Sequence, residues 1–196
     1  MMPAPVRWIL LPAALATAAL ALAADNAIDA GQSSIVATLR QMNVPLDASF
    51  SRFSGTIVYD AMHPEAARAA VDVEVGSLDL GDESYNAEVR KATWLDSAHF
   101  PQASFRSTAI KPGGADHFEA TGTLSMKGKS QLITVPIAVQ HSAKSSTFDG
   151  SFELSRKSFG VGDPDWDNVL DDKVRVHFRL QVDNPTATAP AQTSRS

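Results

Sequence analysis

Strict alternation of apolar and polar side chains is the feature that most constrains this sequence. Between residues 173 and 182, five apolar residues alternate with five polar ones without exception: Val174, Val176, Phe178, Leu180 and Val182. Successive side chains of a β-strand point to opposite faces, so a period of two predicts strands with one buried and one wet face. Residues 118–126 and 148–154 repeat the pattern. The chain is therefore predicted to be all-β.

Weaker alternation marks five more segments, which brings the predicted total to about eight strands: 35–41, 50–59, 69–75, 103–110 and 133–139. Turn-forming residues at 111–114 and 127–129 predict hairpin connections between antiparallel neighbours. These connections predict an antiparallel sheet.

One region breaks this rhythm and predicts a short helix. Within residues 82–96, apolar side chains recur at helical spacing at Tyr85, Val89, Ala92 and Trp94 or Leu95. Asp82 or Ser84 is available as the N-cap. We expect this helix to be an insertion between strands.

Eight amphipathic antiparallel strands have two common solutions, a two-sheet sandwich and a barrel, and composition does not choose between them. An eight-stranded barrel encloses space that is just filled by side chains or just wide enough for one small ligand. Small residues on the predicted inner face, at Ala120, Gly122 and Gly150, favour free space along the axis.

The two ends of the chain predict a processed signal and a tail. Residues 1–23 have the layout of a signal peptide, with an apolar stretch that ends in Ala21-Leu22-Ala23. Residues 183–196 are rich in Pro, Thr, Ala, Gln and Ser, which predicts a flexible tail. Residues 24–182, between these two segments, are predicted to form a single domain. The signal peptide predicts a periplasmic location.

Composition and motifs argue against several function classes. The 17 basic and 22 acidic residues give a net charge of -5 without a basic block, which argues against nucleic acid as a partner. Cysteine is absent, and the five histidines form no close metal-binding pair. No nucleophile elbow is present. We expect no catalytic residues, no metal and no cofactor, hence no enzyme.

Two glycine- and aspartate-containing segments superficially resemble known sites. Residues 163–168 begin like a calcium loop, but Asn168 and Val174 stand where Gly and Glu are required. A solvated acidic turn is the favoured interpretation. Gly160 and Gly162 lack the third glycine of a dinucleotide site, so they are expected to serve a sharp turn or a close backbone approach.

Three separated blocks of sequence carry a resemblance to a known family. The first is Trp94-Leu95-Asp96 followed by residues 100–108, the second covers residues 120–128, and the third covers residues 152–162 with Arg156 and Phe-Gly-Val-Gly. In this order and spacing, they resemble the YceI-like family over about residues 28–182. Its members are described as periplasmic polyisoprenoid-binding proteins with a lipocalin-like antiparallel barrel.

The resemblance implies an apolar barrel interior that holds an isoprenoid or other long-chain lipid. The side chains expected to face that lipid, by strand motif and parity, are Phe105, Phe118, Leu124, Ile133, Val135, Phe152 and Phe178. Trp94, Leu95 and Phe159 are expected at the mouth. Arg156 either orients a polar head group or pairs with an acid, and we favour the acid pair.

The sequence also departs from the family pattern. Gln32-Ser33 replaces a common His-Ser, and Tyr85-Asn86 replaces a common Arg-Asp. A ligand head group at these positions would meet different chemistry here. The combination with Trp94 and Trp166 is similar to a branch of the family that is associated with membrane cytochrome b561 proteins. This similarity points to a quinone as the ligand.

Three hypotheses of function follow from the sequence. The first is a carrier of isoprenoid lipids, quinones among them. The second is an accessory protein of a membrane b-type cytochrome or of a stress response, with no transport role. The third, an enzyme acting on a lipid, has only generic support because no acid, base or nucleophile is marked. The oligomeric state stays open, with a homodimer among the options.

Overall fold

Ten antiparallel strands form one sheet in the computed structural model, which describes residues 27–59, 63 and 66–184. In chain order the strands are β1 (Ser34–Gln41), β2 (Val44–Phe50), β3 (Phe53–Val58), β4 (Arg68–Glu74), β5 (Leu78–Asp79), β6 (Gln102–Gly114), β7 (His117–Met126), β8 (Lys129–His141), β9 (Ser145–Ser155) and β10 (Lys173–Asp183). Their order in the sheet is β3-β4-β6-β7-β8-β9-β10-β1-β2-β5. Helix α1 (Glu83–Val89) lies between β5 and β6.

The sheet curls into a barrel because β2 and β3 are almost one strand. Only Ser51 and Arg52 separate them, yet β2 pairs with β1 whereas β3 pairs with β4. At the bend, the N–H of Glu74 donates to the carbonyl of Arg52 at 3.0 Å. The predicted all-β barrel with a short helix is confirmed. Ten strands replace about eight because β2 was not predicted and because β5 is a two-residue addition.

The main apolar core lies where both ends of the barrel domain meet. Ile28 donates its N–H to the carbonyl of Gly55 at 2.9 Å and forms an isolated bridge with Val182. Seven buried residues form this core: Ile28, Ile35, Ile57, Val139, Phe148, Leu180 and Val182. The inward side chains of β10 therefore pack as the alternation predicts.

Both predicted hairpins are present, but only one has its turn where the sequence predicts it. Lys127 and Gly128 both have positive φ, 49° and 72°, which is the signature of a type I′ turn between β7 and β8. The predicted turn at 111–114 is wrong, because β6 continues to Gly114 with a register shift near Pro112. The chain reverses instead at Ala115 and at Asp116, whose φ is 57°.

Helix α1 begins where its cap predicts. The Asp82 carboxylate accepts hydrogen bonds from the backbone N–H groups of Ser84 at 2.8 Å and Tyr85 at 3.2 Å. The helix ends at Val89, so Trp94 and Leu95 lie outside it despite their helical spacing. The N–H of Leu95 donates to the carbonyl of Val89 at 3.0 Å, which folds this stretch into compact turns.

The predicted signal, residues 1–23, lies outside the described residues. Strand β10 includes Asp183, so it runs one residue into the predicted tail. Asn184 is held as well, because its side-chain amide donates to the carbonyl of Ser142 at 2.8 Å. Residues 185–196 lie outside the described part. Among the helices described, none has the length and apolar character needed to cross a membrane.

Candidate functional site

An apolar cavity of about 170 Å³ lies inside the barrel. Nearly every strand contributes inward side chains to its lining, as expected for alternating strands that share one interior. Of the residues described, Tyr59 and Ser104 are the only polar ones in this lining. The apolar residues around them are Ile35, Phe50, Ile57, Val58, Ala67, Ala69, Val71, Val73, Ala103, Phe105, Ile110, Phe118, Ala120, Leu124, Met126, Val135, Ile137, Val139, Phe148, Phe152, Leu154, Val176, Phe178 and Leu180.

Most of the predicted interior residues line this cavity. The six that do are Phe105, Phe118, Leu124, Val135, Phe152 and Phe178. Ile133 has the same strand parity as Val135 but is only half-buried and lies outside the lining. Parity within a strand was therefore predictable, whereas the length of strand that borders the cavity was not.

The predicted free space above the inward glycines is not there. A Cβ placed on Gly122 would lie 2.6 Å from the Phe105 ring, and one on Gly150 would lie 2.6 Å from the Phe178 ring. Each glycine therefore accommodates a phenyl ring from a neighbouring strand. Of the three small residues, only Ala120 borders the cavity.

Aromatic rings meet at one end of the barrel. The Tyr59 ring stacks on the His141 ring at 5.5 Å between centroids and contacts Phe118 and Phe148 edge-on. The Nδ1 of His141 lies 3.0 Å from the Ser146 hydroxyl. The cavity thus ends in an aromatic layer with Tyr59 at its centre.

A buried guanidinium lies at the opposite end, beyond the last residue of β9. Arg156 is 4% exposed, and its Nη2 donates to the Asp167 carboxylate at 2.8 Å and to the Leu170 carbonyl at 3.2 Å. Its Nε and Nη1 donate to the carbonyls of Asp171 and Val161. We call these five residues the Arg156 cluster. The predicted pairing of Arg156 with an acid is confirmed.

The two glycines after Arg156 are required by this arrangement. Gly160, with a φ of 70°, ends the short turn Lys157–Phe159 in the left-handed region. Gly162 has a φ of 110°, and any Cβ there would collide with the Nη1 of Arg156. The prediction of a sharp turn and a close backbone approach is confirmed, and it explains the Phe-Gly-Val-Gly motif.

Lys127 ties this end of the barrel to the segment that follows α1. Its ammonium donates to the carbonyls of Ala92, Trp94 and Gly160 at 2.8, 2.6 and 2.7 Å. Burial lowers the pKa of Lys127 from its usual value. The ammonium therefore joins two loops that are far apart in sequence.

None of the residues predicted at the mouth borders the cavity. Phe159 is fully buried and Trp94 is 8% exposed. The Trp94 ring contacts the Trp166 ring edge-on at 6.2 Å between centroids, and Leu95 is half-buried. Trp94 and Phe159 lie beside the Arg156 cluster, so these aromatic residues contribute to packing at this end.

Asp167 is the functional partner that sequence reasoning missed. Asp165 is exposed, as a solvated acidic turn predicts, but the Asp167 carboxylate bonds Arg156 and Lys157, both at 2.8 Å. These hydrogen bonds, from Lys157 first and Arg156 second, lower the pKa of Asp167. No local pattern distinguishes Asp167 from its acidic neighbours, because its partner lies eleven residues away.

Ser33 and Asn86, which belong to the two residue pairs that differ from the family pattern, serve the fold in this chain. The Ser33 hydroxyl donates to the carbonyl of Asp29 at 2.6 Å and accepts from the N–H of Gln181. The Asn86 side chain accepts from the N–H of Leu80 and donates to the Asp79 carboxylate. Neither residue lines the cavity.

No group of three or more histidine or acidic side chains in the described ranges is placed to hold a metal ion. The histidines are separated instead. For example, His99 lies 2.8 Å from Asp96, and His177 lies 3.4 Å from Asp149.

Comparison with known proteins gives a consistent result. The model of the YceI-like domain matches residues 27–182. A UPF0312 protein of Azotobacter vinelandii is 31% identical over 160 residues, which cover 77% of this chain and 83% of the relative. The protein YceI of Salmonella newport is 27% identical over 160 residues, with the same coverage of 77% and 83%.

Solved structures share the fold. The crystal structure of BcnA from Burkholderia cenocepacia matches with a TM-score of 0.77 and 36% identity, covering 79% of this chain and 99% of that chain. A polyisoprenoid binding domain from Saccharophagus degradans, implicated in plant cell wall breakdown, matches with a TM-score of 0.66 and 16% identity over 82% of this chain and 99% of that one. At such low identity, the second likeness speaks for the fold alone.

Proposed function

Because this chain belongs to the YceI-like domain family, we propose that it is a periplasmic protein that binds an isoprenoid or other long-chain lipid in the barrel cavity. The apolar lining of that cavity is the observation that carries the proposal. Each CH₂ group moved from water into such surroundings contributes about 0.8 kcal/mol to binding. The Saccharophagus protein, which shares this fold, is itself named a polyisoprenoid binding domain.

The size of the cavity limits how a long chain binds. Its volume of about 170 Å³ is close to that of an engineered cavity of about 150 Å³ that accepts one benzene molecule. A polyprenyl chain is much longer, so we infer that lining side chains shift when it binds. The half-buried rings of Phe105, Phe152 and Phe178 are the side chains that we expect to shift.

A quinone is the ligand we favour within this class, and carriage of the lipid through the periplasm is the role we favour. A quinone would place its isoprenoid tail among the apolar side chains and its ring at an opening. Release of the protein by osmotic shock, with an N-terminus at Ala24, would support the periplasmic location and the processing site.

The direct test is to purify the protein from its own periplasm without detergent, extract it with organic solvent and analyse the extract by mass spectrometry. A stoichiometric polyprenyl compound is expected. A clean extract, together with failure to bind added isoprenoid, would contradict the proposal.

A matched pair of variants on β7 ties the ligand to the cavity. Leu124→Trp fills the cavity, so the extract of that variant should lack the lipid. Thr123→Trp places the same ring on the outer face of the strand and should retain it. Near-ultraviolet circular dichroism checks that both variants are folded. Equal lipid content in the two variants would place the ligand elsewhere.

A second candidate function rests on exposed apolar side chains at the Arg156 end. Met42 is 73% exposed, and Val44 and Trp166 are also exposed. The N–H of Met42 donates to the carbonyl of Val169 at 2.8 Å, so the segments that carry Met42 and Trp166 adjoin. Exposed apolar patches mark interaction sites. This candidate is an accessory protein that docks on a membrane b-type cytochrome.

Cross-linking in membranes separates the two candidates. Recovery of a b-type cytochrome with the Leu124→Trp variant, and its loss with a Met42→Ser/Trp166→Ser variant, would favour docking without carriage. Recovery of no cytochrome would contradict the second candidate.

A further inference from the structure

The wall of the barrel is interrupted between β8 and β9. Residues 137–141 of β8 pair with residues 146–150 of β9. In the rest of these two strands, β8 pairs only with β7 and β9 pairs only with β10. The structure describes all residues of both strands. We call the unpaired stretches, residues 129–136 of β8 and 151–155 of β9, the seam.

Pro136 explains where the pairing stops. A Cβ placed on Gly150 would lie 2.7 Å from the Pro136 carbonyl oxygen, so this carbonyl points toward β9. The N–H and C=O of one strand residue point to the same side, and another residue here would direct an N–H toward β9 as well. Proline has no N–H to donate, and it is found at strand edges for this reason.

The seam reaches the cavity from the side. Val135, Phe152 and Leu154 belong to both the seam and the cavity lining. At the paired end of the seam, Phe118 and Ile137 line both the cavity and a groove of about 370 Å³ that also includes Pro136 and Ser151. The wall is therefore thin where the strands part.

Burial changes along the inward face of the seam. Val135, next to the paired region, is 3% exposed. Farther along, Ile133, Phe152 and Leu154 point the same way but are only half-buried. Inward apolar side chains are therefore only partly covered along the seam.

We propose that the seam is the portal through which an apolar chain enters and leaves the cavity, a proposal that rests on the lipid-binding function above. Widening the seam breaks no hydrogen bonds between strands, whereas β9 and β10 are paired continuously from Lys173 to Asp183. The chain passes sideways between β8 and β9, and its polar head stays outside.

Two cysteine pairs test the portal in a chain that has no cysteine of its own. Extending the register of Ile137 opposite Gly150 places Thr134 opposite Glu153 across the seam. Thr134→Cys/Glu153→Cys therefore bridges the seam, while Ala138→Cys/Asp149→Cys bridges the same strands where they already pair. Both double variants are linked with the same short bis-maleimide, and mass spectrometry verifies the link.

The probe is a dansyl-labelled farnesyl amine, whose fluorescence rises in apolar surroundings. Its uptake is followed by stopped flow, and its equilibrium affinity is measured separately. The seam link should slow uptake at least about tenfold while leaving affinity nearly unchanged, because a gate alters rates and not the end states. The link between residues 138 and 149 should leave the uptake rate unchanged.

Unchanged uptake in the fully linked seam variant would overturn the portal while leaving the lipid-binding function intact. Equal slowing by both links would also overturn it, since stiffening of the barrel would then be the cause. If the unlinked protein takes up no probe and no other isoprenoid, the proposed function fails and the portal fails with it.

Discussion

The apolar cavity and the Arg156 cluster lie in the same barrel but are built in opposite ways. The cavity wall is almost wholly apolar and leaves space among half-buried rings. The Arg156 cluster is filled, and its guanidinium donates to one carboxylate and three backbone carbonyls. Apolar contacts are non-directional and tolerate rearrangement, whereas a buried charge requires every partner in place. The two regions therefore differ in the interactions that build them, apolar packing in the cavity wall and directional hydrogen bonds in the Arg156 cluster.

The largest expected effect comes from removing the buried guanidinium. Arg156→Met leaves three backbone carbonyls without their donor and Asp167 with Lys157 as its remaining partner, and we expect a loss of about 3–5 kcal/mol in the free energy of unfolding. The measurement is equilibrium unfolding in urea.

Arg175→Met is the matched control, because Arg175 forms an exposed ion pair with Glu153 at 3.1 Å. That pair should contribute only about 0–1 kcal/mol. Similar losses in the two variants would show that the Arg156 cluster is not a special source of stability.

The next effect comes from the glycine that faces the guanidinium. Gly162→Ala strains a backbone with a φ of 110° and forces its Cβ into Arg156. Gly114→Ala, with a φ of 131° and no neighbouring atom within 4 Å, carries the backbone strain alone. Strain of this kind costs about 1–3 kcal/mol, and the collision should add about 1–3 kcal/mol at Gly162. Equal losses of stability would contradict the close approach.

The same substitution in the two regions compares their packing directly. Phe159→Leu removes part of a fully buried ring beside the Arg156 cluster and should cost about 2 kcal/mol. Phe152→Leu alters a half-buried ring in the cavity wall and should cost less than about 1.5 kcal/mol. Lipid uptake should change only in Phe152→Leu. The reverse pattern would show that the cavity wall is the rigid region.

The smallest expected effect is the dependence of stability on pH. Hydrogen bonds from Lys157 and Arg156 lower the pKa of Asp167 in the folded state. A carboxyl of this kind stabilises the fold above its unfolded pKa of about 4, and that stabilisation is lost as the pH falls through the folded value. The Tm of the wild type should therefore fall in acid more steeply than that of Asp167→Asn. Parallel profiles would assign the acid sensitivity to other carboxylates.

Sequence reasoning predicted the elements and their faces well. Asp82 as the N-cap, the turn at Lys127 and Gly128, and the inward parity of Phe118 and Leu124 all depend on residues close together in the chain. The resemblance to the YceI-like family supplied the ligand class that these patterns do not specify. It also directed attention to Trp94 and Phe159, which the structure places beside the Arg156 cluster instead of in the cavity lining.

The failures share one physical cause, which is contact between residues distant in sequence. In the sequence, Gly122 and Gly150 indicate free space inside the barrel. In the structure, the rings of Phe105 and Phe178 cover these two glycines. The turn after β6 lies later in the chain than predicted, because pairing with β7 extends β6 to Gly114. In the sequence, nothing distinguishes Asp167 from the neighbouring acidic residues. Only the fold places its carboxylate beside Arg156.

The alternation in the sequence by itself determined that the chain is all-β, with strands that each have one apolar face, because the side-chain period of a strand is a local property of the backbone. Only the tertiary structure decided how much of the barrel interior remains open, which carboxylate meets Arg156 and where β8 parts from β9. These depend on register and packing across the whole barrel, which no stretch of neighbouring residues encodes.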